Sequence, residues 1–132
     1  SVPEPYWYFP EGLYVEKFDS VFNVEGNITA DTAYHYYERQ KLWHAIGNVK
    51  VVNLAGEKFE TSELFLNRKE GRIYTDKFVR AERKGQIHTG YGLESNLKMT
   101  DWHILNHSGV YDIPDSTRTD QETDIRIEPA KQ

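Results

Sequence analysis

The 132-residue chain contains no cysteine. It therefore cannot form a disulfide framework, a thiolate nucleophile or a Cys-ligated metal site. It also lacks any apolar run close to the ~20 residues that a membrane-spanning helix requires. Basic residues are too few for a nucleic-acid-binding surface, because 16 Lys and Arg stand against 21 Asp and Glu and give a net charge of −5.

Helical periodicity is equally scarce between Leu13 and Ile113. Apolar and polar residues alternate instead, in runs such as "LYVEKF", "VKVVNL" and "RIYTD", with Gly- and Asn-containing turns between them. A period of two indicates antiparallel strands and hairpins, and the 14% aromatic content suits them. Residues 29–43, "TADTAYHYYERQKLW", have the propensities of a helix, but their aromatic and β-branched content favours strand.

The composition divides the chain into three regions. Residues 1–12 hold three of the five prolines, which excludes a regular helix or a central strand, and we expect an aromatic arm that covers the core or binds a partner. Residues 13–113 form the single β domain. Residues 114–132 are polar, and we expect a mostly mobile tail. Because the chain begins at Ser1, we expect a soluble part of a longer precursor whose upstream signal or anchor is removed.

One short motif occurs in three similar copies, "ITADTA", "FETSEL" and "IHTGYGL". Ile28, Phe59 and Ile87 begin the three copies, and an aromatic residue follows each of them at the same distance. The pattern predicts that each unit consists of a strand, a turn and a second strand. Such a unit has one apolar face that it cannot bury alone, and stacked units bury one another's apolar faces. We therefore predict seven to nine strands in which the leading residue of each copy points inward. The apolar phase slips after Thr61, which indicates a β-bulge near residues 62–63 or the end of a strand there.

Small residues follow two places after each leading residue, at Ala30, Thr61 and Thr89. If they face inward, they leave space between facing sheets, which suits a groove that a ligand fills. The alternative is that a bulky side chain such as Trp43 or Trp102 fills that space and leaves an ordinary core. The residue types alone do not separate the two.

The motifs "LWHAIGNVKVVN", "GEKFETSEL", "RIYTDKFV" and "IHTGYGLES" occur in that order between Tyr6 and Ile113. In order and spacing, they resemble the LptC and OstA-like family of lipopolysaccharide transport proteins. The resemblance implies an all-β fold, an open antiparallel β-jellyroll built from repeated two-stranded OstA-like units. It implies no enzymatic activity and no cofactor.

The same resemblance implies a role in lipopolysaccharide export. The apolar interior would hold lipid A acyl chains, received from the jellyroll of an inner-membrane ABC transporter. A periplasmic OstA-like jellyroll protein would take them on, after docking by edge-strand addition. The expected location is the periplasmic face of the inner membrane, with the anchor in an upstream segment.

Alternation and the resemblance together predict which side chains line the lipid groove; the alternative for each is plain core. The predicted lipid-binding residues are Ile28, Ala30, Ala45, Val49, Val51, Phe59, Thr61, Ile73, Val79, Ile87, Thr89, Leu93, Trp102, Ile104 and Val110. Gly90 and Gly92 indicate a kink or bulge, or a backbone opened for ligand passage.

The sequence gives little support for a metal site, a catalytic site or a phosphate-binding loop. The five histidines lack the acidic or Cys partners of a tetrahedral metal site, so no metal is predicted. No nucleophile elbow or phosphate-binding loop is present. Tyr and Trp residues could stack on sugars, so the alternatives are a carbohydrate-binding β-sandwich and a structural or adhesin repeat domain.

Overall fold

The computed structural model describes residues 4–18 and 24–113 and shows an all-β chain without a helix in those ranges. The strand predicted over residues 29–43 is confirmed at 29–30, 32–36 and 42–43, whereas residues 37–40 form a turn. The predicted tail at 114–132 lies outside the described residues. The strands are β1 (Trp7–Phe9), β2 (Leu13–Phe18), β3 (Val24–Ala30), β4 (Thr32–Tyr36), β5 (Leu42–Val52), β6 (Lys58–Asn67), β7 (Arg72–Arg83), β8 (Gln86–Asn96) and β9 (Trp102–Asp112).

All the strands belong to one antiparallel sheet. Strands β5 to β9 pair with their neighbours in chain order. On its other side, β5 pairs with two shorter strands in succession: β4 lies along its first half and β3 along its second half. β1 then pairs with β4, and β2 pairs with β3. The predicted N-terminal arm thus contributes β1, a three-residue edge strand of the sheet.

Each long strand bends at one point, and these points form a line across the sheet that we call the crease. The register shifts between Ile46 and Val49, between Thr61 and Phe65, between Thr75 and Phe78, and between Thr89 and Gly90. Such shifts mark β-bulges, which bend a strand sharply. The predicted bulge near residues 62–63 is therefore confirmed, within a strand that continues to Asn67.

The crease folds the sheet back on itself. Phe59 lies on one side of it and Trp102 on the other, yet their rings meet edge to face at 5.0 Å between centroids. Trp102 belongs to the row that contains Leu66, seven residues along β6 from Phe59. In a flat sheet that distance alone is roughly 23 Å. The halves, called upper (Phe59) and lower (Trp102), therefore face each other as the two layers of an open jellyroll.

Two rows of cross-strand neighbours form the facing surfaces. The upper row follows the pairing from β2 to β9; it consists of Val15, Ile28, Val51, Phe59, Ala81, His88 and Val110. The lower row runs from β5 to β9; it consists of Trp43, Leu66, Ile73, Ser95 and Trp102. Buried aliphatic residues such as Val49, Val79 and Leu93 complete the core beside the crease.

In some copies of the repeat the predicted residues point into the interior, and in others the inward positions are displaced by one residue. Ile28 and Phe59 lie in the upper inner row as predicted, but the β8 member of that row is His88. The prediction that Ile87 points inward is therefore wrong. The aromatic position of the second copy, Tyr74, likewise lies outside the lower row, where Ile73 takes its place. The bulges shift the parity between copies, which explains both differences.

Candidate apolar binding site

A cavity of about 480 Å³ lies between the two halves of the sheet, on the side of β2, β3 and β5. Its upper wall comes from Leu13, Val15, Ile28 and Val51, and its lower wall continues across β5, β6 and β7. The apolar residues of the lower wall are Trp43, Ala45, Leu64, Leu66 and Ile73, joined by Leu97 and Met99 of the turn between β8 and β9. Small, branched and aromatic apolar side chains therefore supply most of the lining.

The mouth of the cavity is marked by lining residues that are themselves exposed. Leu54 is 66% exposed and Val15 is 41% exposed. The exposed lining residues also include polar ones, namely Glu16, Arg68 and Lys98. An apolar interior with a polar rim is the arrangement that suits an amphiphile, whose hydrocarbon part leaves water while its polar part remains at the surface.

Trp43 sets the position of the lower wall. Its indole stacks on His35 at 3.9 Å between centroids with only 7° between the planes, and on Phe9 at 5.6 Å. Phe9 belongs to β1, so the N-terminal arm helps to hold the cavity wall. Trp43 is thus fixed against aromatic neighbours and does not fill the space beside Ala45.

A buried polar network joins the two halves beside the cavity. Glu57 accepts hydrogen bonds from the Trp102 indole at 3.0 Å, from the Asn53 amide at 2.8 Å and from Arg83 at 2.6 Å. Asn53 also donates to the carbonyl of Met99 at 2.7 Å. Burial alone would raise the pKa of Glu57, but the three hydrogen bonds and the Arg83 charge outweigh it, so the pKa lies below its ordinary value of 4.5.

Four of the predicted groove residues line this cavity: Ile28, Ala45, Val51 and Ile73. Seven others belong to the core and do not line it; these are Ala30, Val49, Phe59, Val79, Leu93, Trp102 and Ile104. Thr61 is partly exposed at the crease, where its hydroxyl donates to the Phe78 carbonyl at 2.8 Å.

The remaining three predicted residues lie on β8 and β9. Ile87 and Thr89 alternate with the inner residues His88 and Gly90 and so fall on the outer face. Val110 stands in the upper inner row but on the last strand, where it is 52% exposed. The cavity also has lining residues that the sequence reasoning did not select, above all Leu13 and Val15 of β2 and Leu64 and Leu66 of β6. Their alternation marked them as strand residues, but only the crease brings them together.

The outer face carries a row of aromatic rings across five strands. Tyr8, Tyr34, His44, Phe65 and Tyr74 are direct cross-strand neighbours in turn. The His44 and Phe65 rings stack at 4.2 Å with 16° between planes, and Phe65 and Tyr74 stack at 5.3 Å with 13°. Neighbouring rings thus cover one another's faces. A sugar needs an uncovered ring face to stack on, so the stacked part of this row stabilises the sheet and offers no saccharide platform.

The described ranges 4–18 and 24–113 contain neither a candidate metal-ion site nor a membrane-spanning helix. They contain no group of three or more His, Asp or Glu side chains that could hold a metal ion. They also contain no helix long and apolar enough to cross a membrane.

A sequence model of the family described as "LptC: Lipopolysaccharide-assembly, LptC-related" matches residues 17–112. No curated protein of known function matches the chain. The family match begins at the end of β2 and extends through β9. It therefore includes the crease and the cavity walls that come from β3, β5, β6 and β7.

Proposed function

Because the chain belongs to the LptC-related family of lipopolysaccharide-assembly proteins, we propose that it binds lipopolysaccharide through the lipid A acyl chains and passes it on. The family is one of transport components that act at the periplasmic side of the inner membrane. In the proposed sequence, the protein receives lipid from the jellyroll of an inner-membrane ABC transporter and delivers it to a periplasmic OstA-like jellyroll. An upstream segment anchors it to the membrane.

The apolar cavity between the halves is the observation that carries this proposal. Each methylene that leaves water contributes roughly 0.8 kcal/mol, so a ten-carbon stretch of acyl chain contributes about 8 kcal/mol before the costs of association. No covalent bond is made or broken when a chain moves from one apolar groove to the next. We therefore assign the protein no enzymatic step and no cofactor.

Edge strands support the proposed hand-over between jellyrolls. Among the described residues, β9 pairs only with β8, so one side of an 11-residue strand offers its backbone groups to a partner. Leu105, Val110 and Tyr111 on this strand are each more than half exposed. A partner that adds a strand there would extend the sheet and continue the inner rows. We assign this edge to the periplasmic jellyroll.

The first test fills the cavity. Ala45→Phe places a ring in the lower wall, and we expect the affinity for lipid A to fall at least tenfold because the ring occupies the space of an acyl chain. Ser62→Phe is the matched control, since Ser62 is an exposed small residue on the neighbouring strand, and its affinity should equal that of the unmodified protein. Binding is measured by titration with lipid A, and circular dichroism verifies that both variants are folded.

Two outcomes would reject the proposal. Equal binding by the Ala45→Phe variant and the unmodified protein would show that the acyl chains do not enter the cavity. Undiminished binding of deacylated polysaccharide would instead favour the carbohydrate-binding alternative, for which exposed rings such as Trp7 and Tyr91 would be the candidates.

A further inference from the structure

Four basic side chains surround one surface pocket at the end of the sheet. Arg39 and Lys41 belong to the turn before β5, and Arg68 and Lys69 belong to the turn after β6. The two turns are joined, because the Arg68 backbone N–H donates to the Lys41 carbonyl at 2.9 Å. We call these four residues the basic cluster. It is a concentration of positive charge on a chain whose net charge is −5.

The basic cluster adjoins the apolar cavity. Arg68 lines both the basic pocket and the cavity. Trp43 and Leu66, which are cross-strand neighbours in the lower wall, stand only two residues from Lys41 and Arg68 along their strands. Two residues of strand span roughly 7 Å, so hydrocarbon in the cavity and an anion among the basic side chains could belong to one molecule.

Lys41, Arg68 and Lys69 of this cluster differ from the paired arginines elsewhere in the described sheet. Arg72, Arg80 and Arg83 each hold a carboxylate at 2.6 to 3.3 Å. In the part of the chain that the structure describes, Lys41, Arg68 and Lys69 form no ion pair with a carboxylate. Their positive potential is therefore available to a bound anion.

The pKa of His35 is affected by two of the same positive charges. His35 stacks on Trp43 inside the wall, and its pKa lies below its ordinary value because of burial and because of the nearby charges of Arg68 and Lys41. A neutral imidazole there adds no charge to the cluster. Of the two cations, Arg68 lines both the cavity and the basic pocket, and Lys41 lines the basic pocket.

We propose that the basic cluster binds the phosphate groups of lipid A while the acyl chains occupy the adjacent cavity. The inference rests on the proposed function, because it assigns the headgroup position of the same ligand. Phosphate oxygens accept charge-assisted hydrogen bonds from Arg and Lys, and Arg offers a planar pair of donors that fits them. A cluster of basic side chains beside a hydrocarbon cavity thus selects a phosphorylated amphiphile over a neutral one.

The test compares lipid A with its fully dephosphorylated form. We expect the unmodified protein to lose at least tenfold in affinity when the phosphates are removed, and its affinity for lipid A to fall as salt is raised. The double variant Arg68→Gln/Lys69→Gln should bind both forms with the same, weaker affinity. Lys50→Gln/Lys58→Gln is the control, because it removes two exposed positive charges from β5 and β6, outside the basic cluster, and should behave as the unmodified protein does.

The outcomes separate the two proposals. If the unmodified protein binds neither form of lipid A, the proposed function fails. If it binds both forms equally, or if dephosphorylation costs the Arg68→Gln/Lys69→Gln variant as much as it costs the unmodified protein, the basic cluster has no such role. Binding of phosphatidylglycerol vesicles or inorganic phosphate as tight as that of lipid A would likewise overturn the assignment to lipid A.

Discussion

Glu57 is a side chain through which the two halves of the folded sheet are joined. It receives hydrogen bonds from Asn53 and Arg83 of the upper half and from Trp102 of the lower half. A carboxylate that accepts several hydrogen bonds is stabilised in its charged form. Because the charged form is favoured in the folded state, this network links the closure of the sheet to pH.

We predict that Glu57→Gln reduces the pH dependence of stability at acid pH. The pKa of Glu57 is lowered in the folded protein, so its contribution is present above the unfolded value near 4.5 and is lost as pH falls through the folded value. At pH 7 the variant should lose about 2 kcal/mol, the scale of hydrogen bonds to a charged group. Urea unfolding between pH 3 and 7 measures both effects.

The control for this prediction is Glu60→Gln, which changes an exposed carboxylate on β6. It should leave the stability curve close to that of the unmodified protein. If the curves of the Glu57→Gln variant and the unmodified protein remain parallel over the whole range, Glu57 does not couple sheet closure to pH.

At the scale of the strands, the crease depends on close backbone approach at Gly90. A Cβ atom there would lie 2.5 Å from Ile104 Cγ2 and would also collide with the Asn106 carbonyl. Only glycine lets β8 and β9 approach this closely where the register shifts. The kink indicated by the sequence is therefore present at this position.

We predict that Gly90→Ala lowers the free energy of unfolding by about 2 to 3 kcal/mol, because the added methyl must displace backbone of β9. Gly71→Ala is the matched control for a glycine-to-alanine change without a steric collision. Gly71 has a positive φ of 72°, but a Cβ there would have no atom within 4 Å, so only the cost of the conformation remains, about 1 kcal/mol. Denaturant unfolding of both variants gives the comparison, and an equal loss would argue against the steric account of the crease.

A second prediction at the scale of the strands concerns the edge of β9 that has no paired strand among the described residues. A photo-crosslinking residue in place of Tyr111, which is exposed on β9, should capture the periplasmic jellyroll partner. The same residue in place of Lys50, exposed on the interior strand β5, should not capture it. Adducts are identified by mass spectrometry, and capture from position 50 alone would place the docking surface on the sheet face instead of its edge.

The strands themselves could be predicted well from the sequence, because alternation and turn residues are local signals. The phase of the repeat could not, since each bulge shifts the parity and its position depends on the neighbouring strand. His88 therefore occupies the inner position expected for Ile87, whereas Ile73, which alternation had selected, does line the cavity.

At the scale of the whole molecule, the cavity is a product of the crease. Its walls combine Val15 of β2 with Leu66 of β6, two residues that no hydrogen-bonded strand pairing brings together. The sequence left undecided whether the interior stays open beside its small side chains or is filled by a bulky one, and each alternative holds on one side of it. Phe59 and Trp102 fill the side near β9, whereas the side near β2 retains about 480 Å³.

The three tryptophans report on this division directly. Trp43 lines the cavity, Trp102 packs in the filled part of the interior, and Trp7 is 60% exposed. Two double variants leave one interior indole each: Trp7→Phe/Trp102→Phe retains Trp43, and Trp7→Phe/Trp43→Phe retains Trp102. Lipid A with brominated acyl chains quenches an indole only on close contact, and unbrominated lipid A corrects for other changes in emission.

The most direct measurement is therefore the quenching of these two variants at saturating brominated lipid A. Acyl chains lodged between the halves of the creased sheet must quench Trp43 strongly and leave Trp102 close to its unquenched intensity. Equal quenching of both indoles, or bound lipid that leaves Trp43 bright, would contradict the account.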